Sequence, residues 1–325
     1  MPSSSELLAA DCVSRTFPIP GRRRERRLVH AVRDVDLAIA RGSAVGLVGE
    51  SGSGKTTLAR MLIGLETPTA GRVLLRGEPV GRRWVRASEV QMVFQDPYTS
   101  LDPRQSAVDM LDEVQRVRFD RTAAERGRRT AELLEAVGLG RQEAEALPGA
   151  LSGGQRQRAA IARALAVEPE LLILDEAVSA LDVSVQGQIV NLLNDLRSEL
   201  SLTYLLISHD LAVVRQMVDT VVVMYRGRVV EQGPIEAVLD RPQHPYTRRL
   251  RAAVPEAGKA LGGRTAPAEP RDEGCVFHHR CELASTDCDR EPALAPVGPN
   301  HLARCWRTQE EPAPAEHQPT RSHTT

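Results

Sequence analysis

The stretch GESGSGKTT, residues 49–57, puts four residues between two glycines, then a lysine and two threonines. That spacing suits phosphate chemistry. Glycines let backbone N–H groups converge on phosphate oxygens, and a helix starting there adds the partial positive charge of its N-terminus. Lys55 reaches the β- and γ-phosphates of a nucleotide, and the Thr56 hydroxyl ligates Mg²⁺. Gly49, Ser51, Gly52, Ser53, Gly54, Lys55, Thr56 and Thr57 are therefore the candidate nucleotide-binding residues. Only two of the 42 basic residues are lysines, Lys55 and Lys259, so a lysine at this position is more informative than usual.

A second stretch supplies acids. In LLILDEAVSALD, residues 171–182, four apolar residues bury a strand, and Asp175 emerges at its end to hold Mg²⁺ through water. Glu176 follows and is placed to polarise an attacking water as general base.

The third concentration is sulfur. Four of the five cysteines, Cys275, Cys281, Cys288 and Cys305, lie in one segment with gaps of five, six and sixteen residues; Cys12 stands alone. The N-terminal MPSSSELLAADC has no basic start followed by an apolar run. No apolar run approaches the roughly 18 residues needed to span a bilayer. A cytosolic chain with reduced thiols is expected, which favours a metal site over disulfides. Zinc sites usually pair ligands as C-x₂₋₄-C, tighter than any gap here. Four thiolates complete a [4Fe–4S] cluster, which gathers ligands from more widely spaced loops. Zinc is the alternative, and His278, His279 and His301 keep a mixed Cys/His site open.

These groups need a frame to position them. SAVGLVG (43–49) reads as a buried strand and GKTTLARMLIGL (54–65) as the helix after it. VQMVFQ (90–95), LLILDE (171–176) and TYLLIS (203–208) read as further strands. GGQRQRAAIARALAV (153–167) and VQGQIVNLLNDLRSEL (185–200) read as helices, the first burying Ile161, Ala164 and Leu165 at i, i+3 and i+4. Residues 104–147 are charged and helical in period, and VVVMYRGRVVEQG (221–233) reads as a hairpin turning at Arg226-Gly227. The alternation predicts a mostly parallel sheet with helices on both faces. GRRRERR (21–27) is a basic run in a loop. The 325 residues are 42% hydrophobic, enough for a real core. A net charge of −1 and only 3% aromatics argue against a nucleic-acid surface.

LSGGQRQR (151–158) offers Ser152 as a helix N-cap, and the free N–H groups of Gly153 and Gly154 make a second anion site. With the two phosphate-site stretches it closely resembles the ATP-binding cassette (ABC) ATPases of membrane transporters. The resemblance implies an α/β P-loop NTPase of ABC type: a RecA-like core, an antiparallel β portion and a helical subdomain at about 96–165. It divides the chain into a nucleotide-binding domain (1–254), a linker (255–272), a cysteine-rich segment (273–308) and a disordered tail (309–325). Ser152, Gly153, Gly154 and Gln155, with Asp182 of SALD, then act in trans on the nucleotide of a second subunit, so that a dimer sandwiches two ATP molecules. Gln95 of VFQDP matches the glutamine that senses Mg²⁺ and nucleotide, and His209 of LLISHDL matches the γ-phosphate contact. Phe17 of RTFP falls where the family places an aromatic against adenine, although an inserted loop separates it from Ala31. The implied Mg²⁺ set is Thr56, Gln95 and Asp175, and the catalytic set is Glu176, His209, Lys55 and Gln95.

FQDPYTSLDPR (94–104) and RPQHPYTRRL (241–250) resemble the dipeptide and oligopeptide importer branch, which also holds nickel importers. That branch implies peptide uptake at the cytoplasmic face of the cell membrane. The implied partners are two integral-membrane permease subunits, a second ATPase that is a copy or a paralogue, and an extracellular solute-binding protein. The cysteine segment also resembles the C-terminus of peptide-importer ATPases, for which a [4Fe–4S] cluster is implied. Soluble cassette ATPases are the competing class. Those acting on DNA need a long coiled coil between GKT and LSGGQ, but the interval here is about 95 residues and lacks an extended heptad run. Those acting on ribosomes usually carry two cassettes in one chain.

Overall fold

The computed structural model describes residues 6–19, 27–80, 89–95, 101–253 and 273–310. The basic run at 21–26, residues 96–100 of FQDPYTSLDPR, the linker at 255–272 and residues 311–325 lie outside the described residues.

The first elements are β1 (Glu6–Ile19), β2 (Arg27–Ala40), β3 (Ala44–Val48), α1 (Lys55–Leu62), β4 (Ala70–Leu75), β5 (Glu78–Pro79) and β6 (Val90–Val93). Then come α2 (Ala107–Arg118), α3 (Ala123–Ala136), α4 (Arg141–Glu145), α5 (Gly153–Leu165), β7 (Leu171–Asp175), α6 (Val183–Leu200) and β8 (Thr203–Ser208). The last are α7 (Leu211–Met217), β9 (Thr220–Tyr225), β10 (Arg228–Pro234), α8 (Ile235–Asp240), α9 (Pro245–Ala252), β11 (Ala295–Gly298), β12 (His301–Ala303) and α10 (Trp306–Glu310).

The larger sheet has the order β11-β12-β10-β9-β3-β8-β7-β6. Its strands β6, β7, β8, β3 and β9 are parallel. Beyond β9 the sheet turns antiparallel. Strands β3, β7 and β8 are buried along their whole length, as a sheet covered on both faces requires. Their alternating side chains divide the core in two. Ala44, Val48, Leu172, Leu174, Tyr204 and Leu206 face one cluster with Leu111, Ile161, Leu165, Ile189 and Val214 from the helices. Val45, Leu47, Ile173, Leu205 and Ile207 face the other, against Leu58 and Leu62 of α1 and the second sheet. That second sheet is antiparallel, in the order β2-β1-β4-β5.

Helix starts follow local chemistry. Ser106, Thr122 and Ser152 cap α2, α3 and α5, each in a reciprocal pair with the residue three positions on. Helix α1 stops at Leu62, short of the expected Leu65, where Gly64 takes a φ of 74° and Leu65 turns out to solvent. The C-terminal segment is not a free-standing unit. Strand β12 pairs with β10 and extends the main sheet, and Phe277 is buried in the main core.

Candidate nucleotide site

The phosphate loop leaves β3, which lies between β9 and β8 in the parallel part of the sheet, and enters α1, outside the carboxyl ends of the strands where open α/β sheets bind ligands. Gly54 is the N-cap of α1 with a φ of 103°, and a Cβ there would sit 2.2 Å from the Ala31 carbonyl oxygen. Only glycine allows that approach. The Lys55 ammonium is buried and donates to Gly49 O at 2.8 Å, Glu50 O at 3.0 Å and Ser53 Oγ at 3.4 Å. Burial pulls its pKa down, against the acids Glu176, Asp175 and Glu50.

Asp175 ends β7, and burial raises its pKa, opposed by the hydrogen bond from Thr56 Oγ1 to its Oδ1 at 3.3 Å. Thr56 and Asp175, 119 residues apart in sequence, thus present two oxygens to one point. Glu176 takes a left-handed φ of 49° and anchors its N–H on Ile207 O at 2.9 Å, across to β8. Its carboxylate accepts from Gln95 Nε2 at 2.9 Å and lies 3.4 Å from His209 Nδ1. Each of Gln95, Glu176 and His209 leaves the carboxyl end of a different strand.

A cleft of about 850 Å³ opens over the loop, lined by Ser51 to Thr57, Gln95 and Glu176. Phe17, Leu28, Val29 and Ala31 of the β1–β2 ribbon form its apolar wall. The register pairs Phe17 with Val29, and Phe17 and Ala31 both line the cleft. Ser152, Gly153, Gly154, Gln155 and Asp182 are not among the described residues lining this cleft. They form a separate group. Ser152 caps α5, Asp182 caps α6, and a Cβ at Gly153 would lie 3.3 Å from Leu181.

The thiols of Cys275, Cys281, Cys288 and Cys305 are free and gathered, with the Cys275 N–H donating to Cys288 O at 2.9 Å. Burial raises Cys275 to about 11, with smaller contributions from the other three thiols, and raises Cys281 and Cys305 as well. Among the described residues the trio of ligand atoms within 4.8 Å of one another is Asp11, Cys12 and Asp36, and no three tail thiols come that close. Sulfurs around one zinc stand about 3.8 Å apart. His301 is committed elsewhere, with Nε2 2.8 Å from Glu231 Oε1, and His279 Nε2 is 3.3 Å from the Tyr225 hydroxyl.

Some residues at this cleft or its phosphate loop were not expected there from the sequence. Val276 and Arg226 line it. Tyr246, inside RPQHPYTRRL, accepts from the Glu50 N–H at 2.8 Å. Arg280 pairs with the Glu50 carboxylate at 2.8 Å. No local spacing marks any of them, because each contact joins distant parts of the chain.

Sheet, loop and acids together define the class: a P-loop ATPase. Residues 32–179 match the ABC transporter family, and residues 230–288 match the C-terminal region of oligopeptide/dipeptide transporters. The chain belongs to the ABC transporter family, as one of its ATP-binding proteins. A putative peptide import ATP-binding protein of Brucella abortus is 44% identical over 310 residues, covering 91% of this chain and 93% of its own. The oligopeptide transport ATP-binding protein AppF of Bacillus subtilis is 42% identical over 313 residues, covering 90% of this chain and 94% of its own. Among solved structures, the cassette MJ0796 in a dimeric post-hydrolysis state bound to ADP and Pi has a TM-score of 0.63 at 28% identity. The match covers 70% of this chain and 98% of that one.

Proposed function

We propose that this protein is the ATP-hydrolysing subunit of a membrane importer for di- and oligopeptides. The observation that carries the hydrolytic half is the convergence of Lys55, Thr56, Asp175, Glu176, Gln95 and His209 at one cleft. The peptide half is supported by the match over residues 230–288 and by the names of the relatives. Among the described residues no helix is long and apolar enough to cross a membrane. The transport path then belongs to two permease subunits, with this chain bound at their cytoplasmic face and a solute-binding protein supplying peptide from outside.

The oxygens of Thr56 and Asp175 suit a hard divalent cation, and they already face each other. With Gln95 they would hold Mg²⁺, which neutralises charge building on the β- and γ-phosphate oxygens. The Lys55 ammonium exchanges its loop carbonyls for those phosphate oxygens. Phe17 offers its ring to adenine. Glu176 polarises the attacking water: the water oxygen bonds to the γ-phosphorus, the bridging β–γ bond breaks, and the carboxylate takes the proton. His209 steadies the γ-phosphate. Ser152, Gly153, Gly154, Gln155 and Asp182 stand apart from the chain's own cleft, which supports their serving the nucleotide of a second subunit, a copy or a paralogue.

For the four tail thiols we carry a [4Fe–4S] cluster, on their number and their spacing in the sequence, with a single zinc as the alternative. Bound iron would hold Cys275, Cys281 and Cys305 as thiolates against the upward push of burial. A chain expected to keep its thiols reduced suits such a site.

Deleting the gene tests the whole reading. Growth on peptides as the sole source of a required amino acid should fail and return with the wild-type gene. Normal growth there, with loss of a nickel-dependent activity, would reassign the transported solute.

A further inference from the structure

The cysteine-bearing segment reaches the phosphate loop. Arg280, next to Cys281, donates from Nη1 to Glu50 Oε2 at 2.8 Å and from Nη2 to Glu50 Oε1 at 3.0 Å. Two parallel N–H···O bonds of this kind need a guanidinium; an ammonium cannot make them. Glu50 follows Gly49 in the loop, and its backbone is engaged as well. Its N–H donates to the Tyr246 hydroxyl at 2.8 Å and its carbonyl accepts from Lys55 Nζ at 3.0 Å. One loop residue thus joins the C-terminal segment, helix α9 and the phosphate-binding lysine.

The Arg280 head is fixed from its other side too. It lies 5.9 Å from the centre of the Tyr225 ring, with Nη1 3.4 Å from that hydroxyl. Phe277 stands behind it, buried, with its ring centre 5.3 Å from that of Tyr225 and 5.5 Å from that of Tyr246. Val276 lines the cleft itself. On the far side, β12 and the His301–Glu231 contact tie the segment to β10.

We propose that Arg280 is a positioning residue for the nucleotide site: through Glu50 it holds the first turn of the phosphate loop in the conformation that receives phosphates. This rests on the reading of the cleft as an MgATP site. A glycine-rich loop has few side chains to hold it, so ordering it on binding costs conformational entropy. An external tether lowers that cost without touching the ligand and so strengthens binding. The pair is partly exposed, at 24% for Arg280 and 43% for Glu50, so the effect is modest.

The test uses the full chain with the cysteine segment intact. MgATP affinity is measured by calorimetry in the Glu176→Gln background, and KM and kcat in the otherwise wild-type chain. Arg280→Ala should weaken binding roughly threefold to tenfold. The loss should fall on KM, with kcat changed by less than about twofold. Arg280→Lys should restore only part of the affinity, because a point charge cannot reproduce the fork. Glu50→Ala should show the same loss, and the double variant should bind no worse than either single one. Glu50→Ala leaves the C-terminal segment untouched, so it carries the test if Arg280→Ala folds poorly. Unchanged affinity in either single variant would overturn the proposal. So would losses that multiply in the double variant, or rescue of Arg280→Ala by Glu50→Ala, which would mean that Arg280 only neutralises a repulsive charge. A wild-type chain that binds no MgATP would defeat the ATPase reading along with it; wild-type binding with an unaffected Arg280→Ala defeats this inference alone.

Discussion

Glu176 owes its position to its own backbone. Its left-handed φ and the bond to Ile207 O turn the carboxylate toward Gln95 and His209. Glu176→Gln keeps the shape and loses the carboxylate proposed as the general base. It should bind ATP, accumulate as an ATP-bound dimer on a sizing column, and lose roughly 10²–10⁴-fold in turnover. Near-wild-type turnover would remove Glu176 from its role. This side of the site was legible because GESGSGKTT and LLILDE are contiguous, and each carries its own flanking strand. Glu50 and Arg280 were not legible: 230 residues separate them, and neither stands in a pattern that names a partner.

At the scale of elements, the buried parallel strands were readable because both faces are apolar, so each appears as an unbroken hydrophobic run. Strand β1 was not. Its pairing with β2 shifts register at several points, and each shift breaks the alternation that marks a half-buried strand. Helix α9 shows what RPQHPYTRRL does structurally. His244 caps it, with Nδ1 accepting from the Tyr246 N–H at 3.0 Å, which holds Tyr246 where it meets the phosphate loop. The His244 backbone N–H in turn donates to the buried Glu231 at 2.9 Å. Burial pushes His244 down to about 4, with Arg304 and Arg248 adding to the shift and Glu231 opposing it. Above the ordinary value of 6.5 both folded and unfolded chains hold a neutral imidazole. Between 6.5 and about 4 only the unfolded chain takes the proton. Stability is therefore lost as pH falls through that window, by up to about 3 kcal/mol from this one group. His244→Asn keeps a capping acceptor that cannot charge. Its melting temperature should fall less steeply from pH 6.5 to pH 4 than that of the wild type, and parallel profiles would exclude His244 as the cause.

For the whole molecule, the sequence reading set the cysteine segment beside the ATPase, while the structure builds it into the sheet, the core and the edge of the nucleotide cleft. Strands of four and three residues are too short to show periodicity, so their place in the sheet could not be read in advance. The proposed metal site would act as a staple for a segment with few core residues of its own. If the proposed [4Fe–4S] cluster is the staple, protein purified without oxygen should be brown, with absorption near roughly 400 nm and about four irons per chain. Colourless protein with one zinc per chain would favour the mononuclear site.

The pairing of β12 on β10 also has a consequence in time. Glu231 of β10 meets His301 of the closing strand 70 residues further along the chain. At synthesis rates of about 5–20 residues per second, β10 leaves the ribosome roughly 4 to 14 seconds before the strand that covers it. For that interval a valine-bearing edge stands open in the newborn chain, its N–H and C=O groups available to a neighbouring copy. Among the described residues the last strand made is the one that ends this exposure, so slow translation through residues 235–300 would prolong the period in which nascent chains are most prone to join one another.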